Sequence, residues 1–142
     1  MKRSAHRLRV IEAMFFLAVV GVALRILPFR VIARMVGGVQ NGRPSGPATG
    51  DHRAVSVGRA VTAAARRLPW RPVCLPQALA ASFMLRLRSI PSHLCLGVRR
   101  ENGTIDAHAW LIVDGPAGGV VCGADQAPHF VPIASLSPGS KE

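Results

Sequence analysis

Apolar positions near the start of the chain recur every three or four places. Leu17, Val20, Leu24 and Leu27 fall at helical spacing, within and just after an apolar stretch that runs from Ala13 to Leu24. Residues 8–36 therefore predict one helix or two, with Pro28 at the kink or break, because proline lacks an N–H and its ring clashes with the preceding turn. Arg25, Arg30 and Arg34 form a basic flank. A basic start before an apolar run is also the pattern of a signal peptide, but the run continues into RILPFRVIARMV without a small-residue cleavage site. The uninterrupted apolar run is about 12 residues, short of the roughly 20 that span a bilayer, although Arg25 could snorkel near an interface. Three placements of this segment stay open: on a membrane surface, against the rest of the protein, or against a partner.

Residues 37–52 (GGVQNGRPSGPATGDH) have linker chemistry and mark the clearest boundary in the chain. Four regions result: an apolar, Arg-rich helical segment at 1–36, a linker at 37–52, a body at 53–136 and a tail at 137–142. In the body, AVSVGRAVTAAARR (54–67) predicts a helix with Val57, Ala60, Val61 and Ala64 on its apolar face and Arg66 and Arg67 at its C-terminal end. The prolines of LPWRP (68–72) end it. A second helix follows in VCLPQALAASFMLRLRS (73–89), with Cys74 at its start and Pro76 in about its first turn, where proline is tolerated. Leu75, Leu79, Ser82, Phe83 and Arg86 share one face, and Ile90-Pro91 stops it.

The period then changes to two. Leu94, Leu96 and Val98 alternate with His93, Cys95 and Gly97. Asn102-Gly103 predicts a tight turn into a second strand. There Ile105, Ala107, Ala109, Leu111 and Val113 share one face, and Asp106, His108, Trp110 and Ile112 the other. A GPAGG turn (115–119) leads to a third strand in GVVCGAD. Two helices followed by three strands define an α+β body with a small antiparallel sheet.

The 142 residues suffice for one domain with one core. Charge is uneven: residues 1–73 hold 13 basic and 2 acidic residues, and residues 74–142 hold 5 of each. The basic half suits an anionic membrane surface, an acidic protein or peptide, or simply a solvated face. Nucleic acid is the poorest fit, because tyrosine is absent and basic residues are not interleaved with stacking aromatics. Cys74, Cys95 and Cys122 are odd in number and widely spaced, which is neither a disulfide framework nor a metal site. A reducing cytoplasm fits this usage, with contact to the inner face of the membrane as one role for the N-terminal helix.

The chemistry-bearing pair is Cys74 and His108. A cysteine at a helix start sits where the helix dipole favours a thiolate and where backbone N–H groups can hold an oxyanion. With a histidine in an antiparallel sheet as base, and an acid or amide to orient the ring, this is the plan of papain-like and transglutaminase-like nucleophiles. The bland reading is a buried small cysteine and a histidine of no special role. Trp110 shares the predicted face of His108, as a shield and substrate contact or as an ordinary core aromatic. Gln77 reads as a surface residue, and Cys95 and Cys122 as packing residues. His93 and His129 have no distinguishing signal.

The segments CLPQAL (74–79), LCLGVR (94–99) and AHAW (107–110), followed by VDG (113–115), resemble the leader peptidases of lasso peptide biosynthesis, the B-type proteins of transglutaminase-like fold. The resemblance covers about residues 54–135, and LRILPFR (24–30) is similar to the segment that precedes the core in many members. It implies a helices-on-sheet cysteine protease core and a Cys-His-Asp triad that cuts the leader from a ribosomally made precursor. Cys74 and His108 map directly. The family's acid follows the histidine by about a dozen residues, at 120–123, where this chain has none. Asp125 is the nearest replacement if the GPAGG turn carries an insertion, and Asp114, in the turn itself, is the alternative. The resemblance implies as partners the precursor peptide, an ATP-dependent macrolactam synthetase and a leader-recognition protein. The latter is expected on a separate chain, since 53 residues are too few for the fused version. No phosphate-binding glycine loop is visible, so any ATP need belongs to the assembly.

Two other readings keep the fold: acyl transfer to an amine instead of water, and a non-catalytic scaffold. A third is a membrane-anchored basic protein of unrelated role.

Overall fold

The computed structural model describes residues 2–36, 38–40, 52–70, 72–90, 92–113, 119–122 and 131–137. The elements are α1 (Lys2–Ile26), α2 (Phe29–Val36), β1 (Gly38–Gln40), α3 (His52–Arg67), α4 (Cys74–Leu87), β2 (Ser92–Glu101), β3 (Thr104–Val113), β4 (Gly119–Cys122) and β5 (Val131–Ser137). They form an α+β fold with helices packed on one antiparallel sheet of order β1-β5-β2-β3-β4.

Pro28 breaks the N-terminal pattern into two helices. The last bond of the first helix runs from Leu27 N–H to Ala23 O, and the first of the second from Val31 N–H to Pro28 O. Leu27, beyond the break, is exposed. Of the three placements for this segment, the structure shows packing against the body. Val10, Ala13, Leu17 and Val20 are buried, at alternating spacings of three and four, and α1 lies on α3 and α4. Polar ties reinforce the contact. Arg9 Nη1 donates to Ser56 Oγ of α3 at 2.7 Å. Arg88 donates from Nη1 to Glu12 Oε1 at 2.9 Å and from Nη2 to Glu12 Oε2 at 2.7 Å. The segment 1–36 and the body thus share one hydrophobic interior.

The predicted face of α3 is the observed one: Val57, Ala60, Val61 and Ala64 are all fully buried. Its small side chains let α1 and α4 come close. Helix α4 is buried on more sides than a single stripe allows, with Ala78, Leu79, Ala80, Ala81, Ser82, Met84 and Leu85 all enclosed, because it touches α1 and α3 as well as β2 and β3. It stops before Ile90-Pro91. Ser89 takes φ 56°, Ser89 N–H bonds to Arg86 O and Ile90 N–H to Leu85 O, both at 3.0 Å. This is a Schellman ending with serine at the left-handed position usually held by glycine, and the side chain of Ile90 tucks into the core.

The β2–β3 hairpin turns at Asn102-Gly103, both at positive φ (51° and 79°), as a two-residue primed turn requires. Its alternation divides the sheet faces as the period predicts. Leu94, Ala109, Leu111 and Val113 join the helix-covered core, while Cys95, Trp110 and Ile112 form a separate cluster. Two strands were not legible as such. Residues 38–40, inside the glycine-rich stretch, pair with β5, matching Gly38 to Ser137 and Gln40 to Ser135. Strand β5 itself lies between β1 and β2, with an irregularity at Leu96/Gly97. Its partners are backbone groups, so composition alone gave little sign of either. The third predicted strand is present at 119–122. The rest of the glycine-rich stretch (41–51), residues 114–118 and 123–130, and the tail 138–142 lie outside the described residues.

Candidate active site

Cys74 is the first residue of α4 and is half-buried, its side chain against the helix-covered core. No side chain caps this helix end: Val73 is extended at the N-cap position, and Gln77 N–H makes the first helical bond, to Val73 O at 3.3 Å. Since Pro76 has no N–H, the donors at the helix mouth are the backbone groups of Cys74 and Leu75. These are the groups that an oxyanion beside the cysteine sulfur would meet.

The loop into Cys74 is held from inside the helix. Gln77 is not a surface residue: it is half-buried, and its Nε2 donates to Pro72 O at 2.8 Å. An open hollow of about 330 Å³, lined by Thr62, Ala65, Arg66, Pro72 and Gln77, adjoins this loop. Sequence reading missed Gln77. The signal was there, since a glutamine one turn into a helix can reach back to the chain before it.

His108 is half-buried on β3, opposite Gly97 of β2, so its strand neighbour covers it with no side chain. Its ring stacks on Trp110, with centroids 6.1 Å apart and planes 21° apart. Trp110 is buried against Cys95 and Ile112, so it is both a core aromatic and the wall beside the imidazole. Cys95 is fully buried, a packing residue as expected.

Cys74 heads a helix that packs against β3, the strand that bears His108. The connection between α4 and β2 is short, so the helix runs back over β2 and β3, which it contacts. Its 14 residues span about 21 Å. By strand alternation His108 is on the Trp110 face, whereas Cys74 packs with the helices. Among the described residues, β4 pairs with Leu111, Ile112 and Val113 of β3. Asp125 and Asp114 lie outside the described residues, as do His129 and the side chain of Cys122. Among the described residues no group of three or more His, Cys, Asp or Glu is placed to hold a metal ion.

A cysteine heading a helix that lies on an antiparallel sheet, with a histidine on the sheet, is the architecture of the papain-like and transglutaminase-like class. Residues 16–135 match the family model of the Transglutaminase-like superfamily, and the chain belongs to it. That superfamily includes cysteine peptidases and acyltransferases. The match begins inside α1, in agreement with the packing of that helix into the core. Comparison with curated proteins and with solved structures gives no match.

Proposed function

We propose that the chain is a cysteine peptidase that removes the leader from a ribosomally made, lasso-type precursor peptide. The observation that carries this reading is Cys74 at the uncapped mouth of α4, a helix that lies against β3, the strand that bears His108. The sulfur attacks the scissile carbonyl, and the backbone N–H groups of Cys74 and Leu75 receive the developing oxyanion. This chemistry requires His108, on the Trp110 face of β3, to come within hydrogen-bond reach of the Cys74 sulfur, where it takes the thiol proton and returns it to the leaving amine. Water then releases the acyl-enzyme, with His108 as base again. Asp125, or failing it Asp114, orients the imidazole, Trp110 backs the ring, and the hollow beside Gln77 offers room for the peptide.

The sequence segments shared with leader peptidases support the lasso setting. In it the protein works in the cytoplasm with the precursor, a separate leader-recognition protein and an ATP-dependent macrolactam synthetase, and ATP serves the assembly.

The test is to incubate the chain and a Cys74→Ala variant with a candidate precursor and its leader-binding partner and to read masses. Cleavage by the wild type alone supports the proposal, and His108→Ala should then abolish it too. A mass gain from amine attachment would make the protein an acyltransferase. Equal cleavage by both proteins would remove Cys74 as nucleophile. No reaction, with binding demonstrated, would leave a scaffold of the same fold.

A further inference from the structure

Helix α1 carries two apolar stripes, not one. Val10, Ala13, Leu17 and Val20 face the core. Leu8, Ile11, Phe15, Val19, Val22 and Ile26 are all exposed, with Phe15 at 64%. Their spacings of three and four residues put them on one line, about 180° round the helix from the buried line, at roughly 100° per residue. Leu8 to Ile26 runs for about 27 Å. Contiguous apolar surface of that length is rarely left to water.

Its electrostatic frame is one-signed. Lys2, Arg3 and Arg7 are exposed at one end, and Arg25, Arg30 and Arg34 at or beyond the other. The acid of residues 2–36 is Glu12, which is engaged by Arg88. Trp70, itself 52% exposed, stands beside this face. With Ala18, Gly21, Val22 and Arg25 it lines a cavity of about 240 Å³. An exposed tryptophan next to an arginine suits the boundary between acyl chains and phosphate headgroups. No helix among the described residues is long and apolar enough to cross a membrane, so the geometry calls for a helix lying in the interface plane.

We propose that the outer face of α1, with Trp70, docks on an anionic lipid bilayer. The apolar stripe enters the headgroup–acyl boundary, and the arginines and lysine at its ends meet lipid phosphates. A protein partner would also cover an apolar stripe. Cations at both ends without an exposed acid match a uniformly negative plane better than a protein rim of mixed charge. Docking in this way puts the connection between α3 and α4, and thus the approach to Cys74, close to the membrane. The proposal stands apart from the peptidase reading.

The test is co-sedimentation of the full chain with vesicles of equal parts phosphatidylcholine and phosphatidylglycerol, against phosphatidylcholine alone, with tryptophan fluorescence recorded. Trp110 is buried, so a blue shift on binding reports Trp70, and Trp70→Phe should remove it. The wild type should bind the anionic vesicles, bind neutral ones roughly tenfold more weakly, and lose affinity as salt rises. Phe15→Ser with Val22→Ser should weaken binding roughly tenfold while circular dichroism stays unchanged, because both positions are exposed. Cys74→Ala should bind like the wild type, which separates this result from any failure of the peptidase reading. Absence of binding by the wild type would overturn the proposal. So would equal affinity for neutral vesicles, or a dimer by light scattering that the double variant dissolves and that does not bind vesicles.

Discussion

Glu12 and Arg88, 76 residues apart in sequence, form a two-bond ion pair that fastens the middle of α1 to the turn after α4. Arg88 also donates to Met84 O at 3.0 Å, so the same guanidinium holds the last turn of α4. The hydrogen bond from Arg88 is the largest cause that holds the Glu12 carboxyl below its ordinary range. Burial opposes it, and the charges of Arg88 and Arg9 add to it. A carboxyl lowered on folding contributes stability that is present above its unfolded pKa and is lost as pH falls through the folded value. Glu12→Gln should therefore lower the melting temperature near neutral pH by roughly 3 °C, corresponding to about 1 kcal/mol. The gap to the wild type should close as pH falls below 4.5, the ordinary carboxylate value. Thermal melts across that range check both statements.

The two stripes of α1 predict opposite responses to the same kind of truncation. Leu17 is fully buried and Ile11 is 63% exposed. Leu17→Ala should cost about 2–5 kcal/mol, the transfer loss plus the cavity left behind. Ile11→Ala should stay within about 0.5 kcal/mol of the wild type in lipid-free solution. Chemical denaturation of both variants decides this, and a small loss for Leu17→Ala would mean that α1 is not part of the core.

Ser89 has the left-handed backbone of a helix-ending glycine. Replacing it should relieve the clash of its Cβ with the following carbonyl. Ser89→Gly should stabilise the fold by about 0.5–1 kcal/mol, whereas Ser89→Val should destabilise it by at least as much. Denaturation midpoints, at unchanged slope, are the readout.

Thiol chemistry should separate the two described cysteines. Cys74 is half-buried at a helix mouth and Cys95 is fully enclosed beside Trp110. Brief treatment of the native protein with iodoacetamide, followed by peptide mass mapping, should label Cys74 well before Cys95. In denaturant the two should react alike. Protection of Cys74 as complete as that of Cys95 would contradict its accessible position.

Much of this arrangement could be read from residue patterns, because the signals were local. The two-residue period of residues 94–98 and 105–113, with Asn102-Gly103 between them, fixed the hairpin, its turn and the division of its faces. The helical period and Pro76 placed Cys74 at a helix start. What could not be read depends on distant partners. The Leu17 line and the Phe15 line of α1 are equally apolar, and only the arrival of α3 and α4 decides which is buried. Gly38–Gln40 have no strand signal of their own and become a strand because β5 offers backbone groups. The packing of α4 against β2 and β3 follows from the short connection between α4 and β2, a matter of lengths and not of composition.

The pairing of Gly38 with Ser137 also bears on how the chain reaches its native state. That contact closes a loop spanning most of the molecule, and β5 pairs directly with β2 although β3 and β4 separate the two in sequence. The hairpin and the helices can form from neighbours in sequence, but the sheet edge waits for a search over the whole chain. Loop closure of that length is the slow kind of event in folding. Until it is complete, the open side of β2 is an unpaired edge ready to join another chain. A ribosome-bound or truncated form lacking β5 would carry that edge exposed, and aggregation through β2 is the hazard built into this topology.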